Sequence, residues 1–158
     1  FDEGEAAERF ELKLSKEPLW MSEHLCFLGE IPRRTDFEPP QPEFYLDAPA
    51  NPDQLSDDSA LVINGEKGLI VIAGCSHSGI CNILLLAQEV TGCERIHAVV
   101  GGFHLKQADQ RTEDTIRFFR EQRVEQAIPC HCTELPARCR FHQELGSPPL
   151  HSGDVLEF

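Results

Sequence analysis

Apolar residues fall into two textures along the chain. Up to about residue 58 they come in short pieces, F-E-L-K-L at 10–14 and L-C-F-L at 25–28, separated by prolines and acids. The stretch E-P-P-Q-P-E at 38–43 reads as a loop running to about residue 57. Each proline there removes an amide donor and restricts the residue before it. Loops of that length commonly serve as covers over a site. From residue 59 the pattern turns regular. A-L-V-I-N (60–64) and L-I-V-I-A (69–73) predict two strands joined by a tight turn, with Gly65 and Gly68 at its ends. Residues 78–90 predict a helix capped by Ser78, with Gly92 shortly past its end. I-H-A-V-V (96–100) predicts a strand, and 112–122 an amphipathic helix capped by Thr112, with Ile116, Phe119 and Phe118 turned inward. Val124 to Pro129 predicts a strand, Thr133 to Leu145 a helix closed by Gly146, and D-V-L-E-F (154–158) a terminal strand.

The order from 59 onward is therefore ββαβαβαβ, which implies an α/β sheet with helices packed on at least one face. The expected organisation is one domain over 1–158, with 1–58 a loop-rich cover containing short strands and 59–158 a βα-alternating core. In sheets of this kind ligands lie beyond the carboxyl ends of the strands. Cys75 with His77, then His104, then His131 each follow a strand at that end. Three histidines delivered by three successive strand ends can converge on one small polar site. Imidazole suits zinc, iron or manganese, and a thiolate at Cys75 suits zinc or iron. His97 sits inside a strand, and His24, His142 and His151 fall in loop or helix-surface contexts, so these four are read as structural or solvated.

Composition narrows the function classes. A hydrophobic content of 41% and a charged content of 26% over 158 residues are those of a soluble globular protein. No run approaches a membrane span, and the N-terminal residues lack a signal-peptide pattern. Fourteen basic against 27 acidic residues give a net charge of −13, which repels phosphate backbones and argues against a nucleic-acid partner, a nuclease activity included. Seven cysteines, at 26, 75, 81, 93, 130, 132 and 139, form no C-x-x-C pair, so zinc-ribbon and thioredoxin readings fail. A reducing cytoplasm suits them, and Cys26, Cys81, Cys93 and Cys139 read as small buried hydrophobes.

Taken together, G-C-S-H-S-G-I-C-N (74–82), V-V-G-G-F-H-L (99–105) and P-C-H-C-T (129–133) resemble the metallo-β-lactamase fold. More narrowly they resemble its branch of 7,8-dihydropterin-6-yl-methyl-4-(β-D-ribofuranosyl)aminobenzene 5′-phosphate synthase-like metallohydrolases. F-L-G-E-I-P-R-R-T-D-F-E (27–38) and D-D-S-A-L-V-I (57–63) agree with that branch, and the resemblance covers about residues 20–158. The superfamily's hallmark H-x-H-x-D-H is absent. With a first residue that is Phe1 and not Met, the resemblance implies the C-terminal half of an αββα sandwich, with a missing N-terminal half as its partner.

The resemblance further implies a metal-dependent hydrolase in which two divalent metals activate a water. Zinc is the first choice of metal, with iron, manganese or magnesium as alternatives. The substrate would be small, phosphorylated or pterin-like, and this portion alone would be inactive. His131 matches the last ligand histidine, His77 is the next ligand, and Cys75 is the alternative to it. Asp57 or Asp58 stands in the third-motif position if G-C-S-H replaces the family's bridging acid. His104 is implied as a catalytic donor or general acid. Glu30 and Arg33 would line the cleft, Arg33 with Arg34 as a phosphate clamp, and Ser78 would open a helix N-terminus able to hold an anion. The competing reading is a catalytically inactive fragment or binding module that associates with a separate first half. Apolar sheet surface left exposed also predicts self-association, and no membrane partner is expected.

Overall fold

A computed structural model describes residues 3–40, 45–46, 51 and 53–158. A short helix α1 (Glu3–Ala7) and two short strands, β1 (Leu19–Trp20) and β2 (Leu25–Phe27), precede the regular part. There follow β3 (Ala60–Gly65), β4 (Gly68–Ala73), α2 (Ile80–Thr91), β5 (Ile96–Gly101), α3 (Gln110–Glu121), β6 (Gln126–Pro129) and α4 (Leu135–Leu145). The strands form one sheet in the order β1-β2-β3-β4-β5-β6. The first four are antiparallel meanders, and β4, β5 and β6 are parallel. The predicted hairpin is present, with Gly65 paired to Gly68 across its turn.

Parallel neighbours need crossovers, and a right-handed crossover fixes the face on which each connecting helix lies. Helices α2 and α3 connect β4 to β5 and β5 to β6 in the same direction, so both lie on one face. α4 joins them there: Ile80, Leu84, Ile116, Phe119, Ala137 and Phe141 share one core with Val62, Val71 and Val99 of the sheet. At its centre Phe103, Phe119 and Phe141 pack with ring centroids 5.4 to 5.6 Å apart, all fully buried. The opposite sheet face carries the alternate residues Leu61, Ile63, Ile70 and Ile72. These are only partly buried, and Ile72 is 41% exposed.

Several boundaries differ from the sequence expectation, each for a local reason. α2 begins at Ile80 behind Gly79, and the Ser78 side chain does not cap it. α3 begins two residues before Thr112, because the Asp109 carboxylate accepts the Thr112 amide at 3.1 Å. α4 begins at Leu135, and the Thr133 hydroxyl instead accepts the Phe103 amide at 2.9 Å. The predicted strand at 154–158 does not form. There the Asp154 carboxylate turns back onto the His151 amide at 2.7 Å, and Val155 is left 84% exposed. Cys26 and Cys81 are buried as expected, but Cys93 is half-buried and Cys139 lies exposed on α4. His97 is buried in β5 against Glu125, with 2.8 Å between Nδ1 and Oε2. The proline-rich stretch reaches past the described residues at 41–44, 47–50 and 52. Among the described residues no helix is long and apolar enough to cross a membrane.

The aromatic trio sits where all three helices meet the sheet. Phe141→Ala is expected to cost about 3–5 kcal/mol, measured by urea denaturation. A loss below about 1 kcal/mol would mean that the trio is not the packing centre.

Candidate metal centre

The three parallel strands end level with one another. Ala73 pairs with Gly101, and Gly101 with Pro129. The ladder continues one step further, the Gly102 amide donating to Gly74 O and the Cys130 amide to Gly101 O, both at 2.8 Å. The chain then leaves each strand through a tight loop. In all three loops a residue with a side chain takes left-handed backbone: Ser76 at φ 59°, His104 at φ 48° and His131 at φ 50°. Such conformations cost roughly 1 kcal/mol or more each and cluster at functional sites. They are held by cross-loop bonds. The buried Ser76 hydroxyl donates to Gly102 O at 2.6 Å, and the Glu134 amide donates to Leu105 O at 2.9 Å.

Close approach of the loops requires the two glycines at the end of β5. A Cβ on Gly101 would lie 2.2 Å from Ala73 O, and one on Gly102 would lie 2.5 Å from the Cys132 sulfur. With those side chains absent, Cys75, His131 and Cys132 come together, their ligand atoms all within 4.8 Å of one another. Cys75 Sγ and His131 Nε2 are 3.2 Å apart. Zinc with Zn–S of about 2.3 Å and Zn–N of about 2.0 Å needs donors roughly 3.3–3.8 Å apart. The Cys75–His131 pair stands close to that spacing, and Cys132, within 4.8 Å of both, completes a group able to hold one metal ion. Burial, with the Cys75 sulfur adding to it, pushes the Cys132 thiol up to about 11. The Cys132 Sγ makes a long contact of 3.5 Å to Cys75 O.

Of the residues singled out from the sequence, Cys75 and His131 thus meet, and Cys132 joins them. His77 is not in this cluster. Its ring stands edge-on to that of His104, with centroids 4.7 Å apart, so two of the histidines form an adjoining pair. Arg33 is committed to main-chain carbonyls, donating to Glu38 O at 3.3 Å, Gln54 O at 3.2 Å and His77 O at 3.1 Å. It is a strut to the His77 loop, and the Arg34 guanidinium pairs with Glu89 on α2. Ser78 is buried, and its amide donates to Asp58 Oδ2 at 2.9 Å. Asp58 thereby fixes the loop from the side. Asp57 and Glu30 line a different cleft, of about 480 Å³, with Lys13 and Lys16.

No family model matches the chain. It is 33% identical over 154 residues to the 7,8-dihydropterin-6-methyl-4-(β-D-ribofuranosyl)-aminobenzene-5′-phosphate synthase of Methanocaldococcus jannaschii, a match covering 92% of this chain and 52% of that protein. The crystal structure of a metal-dependent hydrolase of the β-lactamase superfamily superposes with a TM-score of 0.80 at 33% identity, over 94% of this chain and 58% of that one. The chain has a metallo-β-lactamase-type fold. An uncharacterised protein of Methanocaldococcus jannaschii is 28% identical over 147 residues, covering 92% of this chain and 54% of its own length. The chain spans about half the length of the relatives it matches.

In this metallo-β-lactamase-type half-sandwich, one residue that anchors the site escaped the sequence reading. Glu38, expected to lie in a covering loop, is 1% exposed. Its carboxylate accepts the Cys81 amide on Oε1 and the Asn82 amide on Oε2, both at 3.1 Å, and the Thr35 hydroxyl at 2.9 Å. It fills the N-terminus of α2, the position assigned to an anion from the sequence. Gly79 makes room for it, since a Cβ there would lie 2.3 Å from Glu38 Oε2. Asn82, fully buried, completes the join. Its Oδ1 accepts the Arg34 and Thr35 amides at 2.7 and 2.9 Å, and its Nδ2 donates to Ser78 O at 2.8 Å. An E/N pair 44 residues apart in sequence gives no local signal, so pattern alone could not reveal it.

Burial raises the Glu38 pKa, outweighing the hydrogen bonds and the Arg111 charge that lower it. The folded protein then holds the Glu38 proton to higher pH than the unfolded chain does. Stability linked to this group is complete below the unfolded value near 4.5 and is lost as pH rises through the folded value. Glu38→Gln keeps the shape but turns an amide NH₂ towards the helix amides, at a cost of about 2 kcal/mol. Denaturant unfolding from about pH 4 to pH 7 is expected to show the wild-type advantage shrinking with rising pH. An advantage that grows with pH would reverse the assignment.

Proposed function

We propose that this chain is part of a metal-dependent hydrolase that acts on a small substrate, phosphorylated or pterin-like. The observation that carries the reading is the meeting of Cys75, from the end of β4, with His131 and Cys132, from the end of β6, within 4.8 Å, beside the His77/His104 pair. The two relatives, a dihydropterin-linked phosphate synthase and a metal-dependent hydrolase, support the substrate class and the reaction type respectively. Seven free cysteines fit a reducing cytoplasm.

A divalent metal bound here supplies Lewis acidity and lowers the pKa of a water beside it. The chain's own residues set the rest. His131 and Cys75 hold the ion, with His77 as the further ligand when a second metal is present. His104 donates a proton to the leaving oxygen, its position fixed by the His77 ring and by the left-handed turn it occupies. Arg33, through His77 O, and Asp58, through the Ser78 amide, hold the loop still while the reaction proceeds. The remaining ligands of a dinuclear centre come from the other half of the fold, which packs on the sheet face bearing Leu61, Ile63, Ile70 and Ile72. An exposed apolar face of this kind also favours pairing with a second copy when that half is absent. On this reading the 158-residue stretch alone is inactive.

The test uses the complete protein with zinc and a chromogenic phosphodiester. Hydrolysis is expected, and His131→Ala should lower both zinc content and kcat/KM, the latter by about 100-fold or more. His104→Gln should retain zinc and lose about 100-fold in kcat. Zinc-independent turnover, or full activity in His131→Ala, would sink the reading. A complete protein that binds its other half tightly but neither metal nor substrate would favour the binding-module alternative.

A further inference from the structure

We propose that Cys132 is itself a metal ligand. On this proposal Cys75, His131 and Cys132 form a thiolate-rich site for one borderline-soft divalent cation of the zinc, cobalt or iron(II) class. The proposal rests on the metal reading above and narrows it. Magnesium, calcium and manganese, which prefer carboxylate, carbonyl and water oxygens, are poor occupants of such a site.

Consecutive residues on an extended strand point to opposite sides, so His131 and Cys132 would ordinarily diverge. The left-handed backbone of His131, at φ 50°, breaks that alternation. It brings an imidazole and the next thiol to the same point, opposite the sulfur of Cys75. Gly102 makes the space, since a Cβ there would come 2.5 Å from the Cys132 sulfur and 2.6 Å from Gly74 O. The half-buried Cys132 thiol faces Cys75 O at 3.5 Å, a weak contact for a polar group in that position. Strained backbone and a glycine cradle, both serving one sulfur, are what a ligand position requires.

The donor set also differs from a site of histidines and carboxylates. Two thiolates offset the full charge of a divalent cation and leave the imidazole neutral. Binding therefore displaces two thiol protons and favours metals that form strong sulfur bonds.

Reduced protein is titrated with cobalt(II), and the near-ultraviolet thiolate-to-cobalt charge-transfer band is recorded. Wild type is expected to show a band at the two-thiolate level. It should be displaced by zinc and untouched by excess magnesium. Cys132→Ser, and separately Cys75→Ser, should each remove about half of the band and weaken zinc binding by more than about 10-fold, the lower end of what even outer-shell partners contribute. Cys139→Ser, exposed on α4, should change neither. A Cys132→Ser protein with full band intensity and unchanged zinc affinity overturns the proposal while leaving the metal reading intact. Failure of the wild type to bind cobalt or zinc overturns both. If Cys132→Ser does not fold, the wild-type intensity decides: a one-thiolate band overturns the proposal, and a two-thiolate band supports it.

Discussion

The register of the parallel strands is the constraint from which the site follows. Ala73, Gly101 and Pro129 stand side by side, so the chain leaves β4, β5 and β6 at one level of the sheet. Side chains alternate along a strand with a period of 2, and a slip by one residue would turn every helix-facing residue outward. Packing of Val62, Val71 and Val99 against the three helices therefore locks the register. The same packing that makes the core also aligns the chemistry. No side chain of the site has to supply folding energy of its own, which leaves strained positions such as His104 and His131 affordable.

Around the aligned ends, a second tier of residues works through the backbone. Ser76 ties one loop to Gly102, Thr133 ties the third loop to Phe103, and Glu38 with Asn82 clamps the start of α2 against residues 34–35. Arg33 belongs to this tier as well, because its guanidinium grips carbonyls from three segments. The result is a candidate site whose cluster, two thiols and an imidazole, is set on rigid strand ends. Its polar supports are buried where the apolar core would otherwise leave helix amides without acceptors. A net charge of −13 over the chain adds a long-range pull on cations and none on phosphate.

Much of this was legible in the sequence, and the exceptions share a cause. The β3–β4 hairpin, the helices and the placing of Cys75, His77, His104 and His131 beyond the ends of β4, β5 and β6 follow from periodicity and from the rule that ligands lie beyond strand ends. The missed features depend on contacts between distant segments. Ser78 looked like a cap because it precedes a helix, but Glu38, 44 residues before Asn82, reaches that helix end first. Arg33 looked free for phosphate because sequence cannot show the carbonyls around it. Cys132 was hidden by its neighbour, since adjacent side chains are expected to diverge and only the left-handed turn at His131 reunites them. The strand expected at 154–158 failed because alternation in five residues is weak against a local Asp154–His151 turn.

The most direct test is X-ray absorption at the zinc edge on the zinc-loaded complete protein. The expected spectrum contains sulfur scatterers at about 2.3 Å together with imidazole nitrogen at about 2.0 Å, as the meeting of cysteine and histidine at aligned strand ends requires. A first shell of nitrogen and oxygen alone would contradict it, because the cysteines at the ends of β4 and β6 would then not hold the metal.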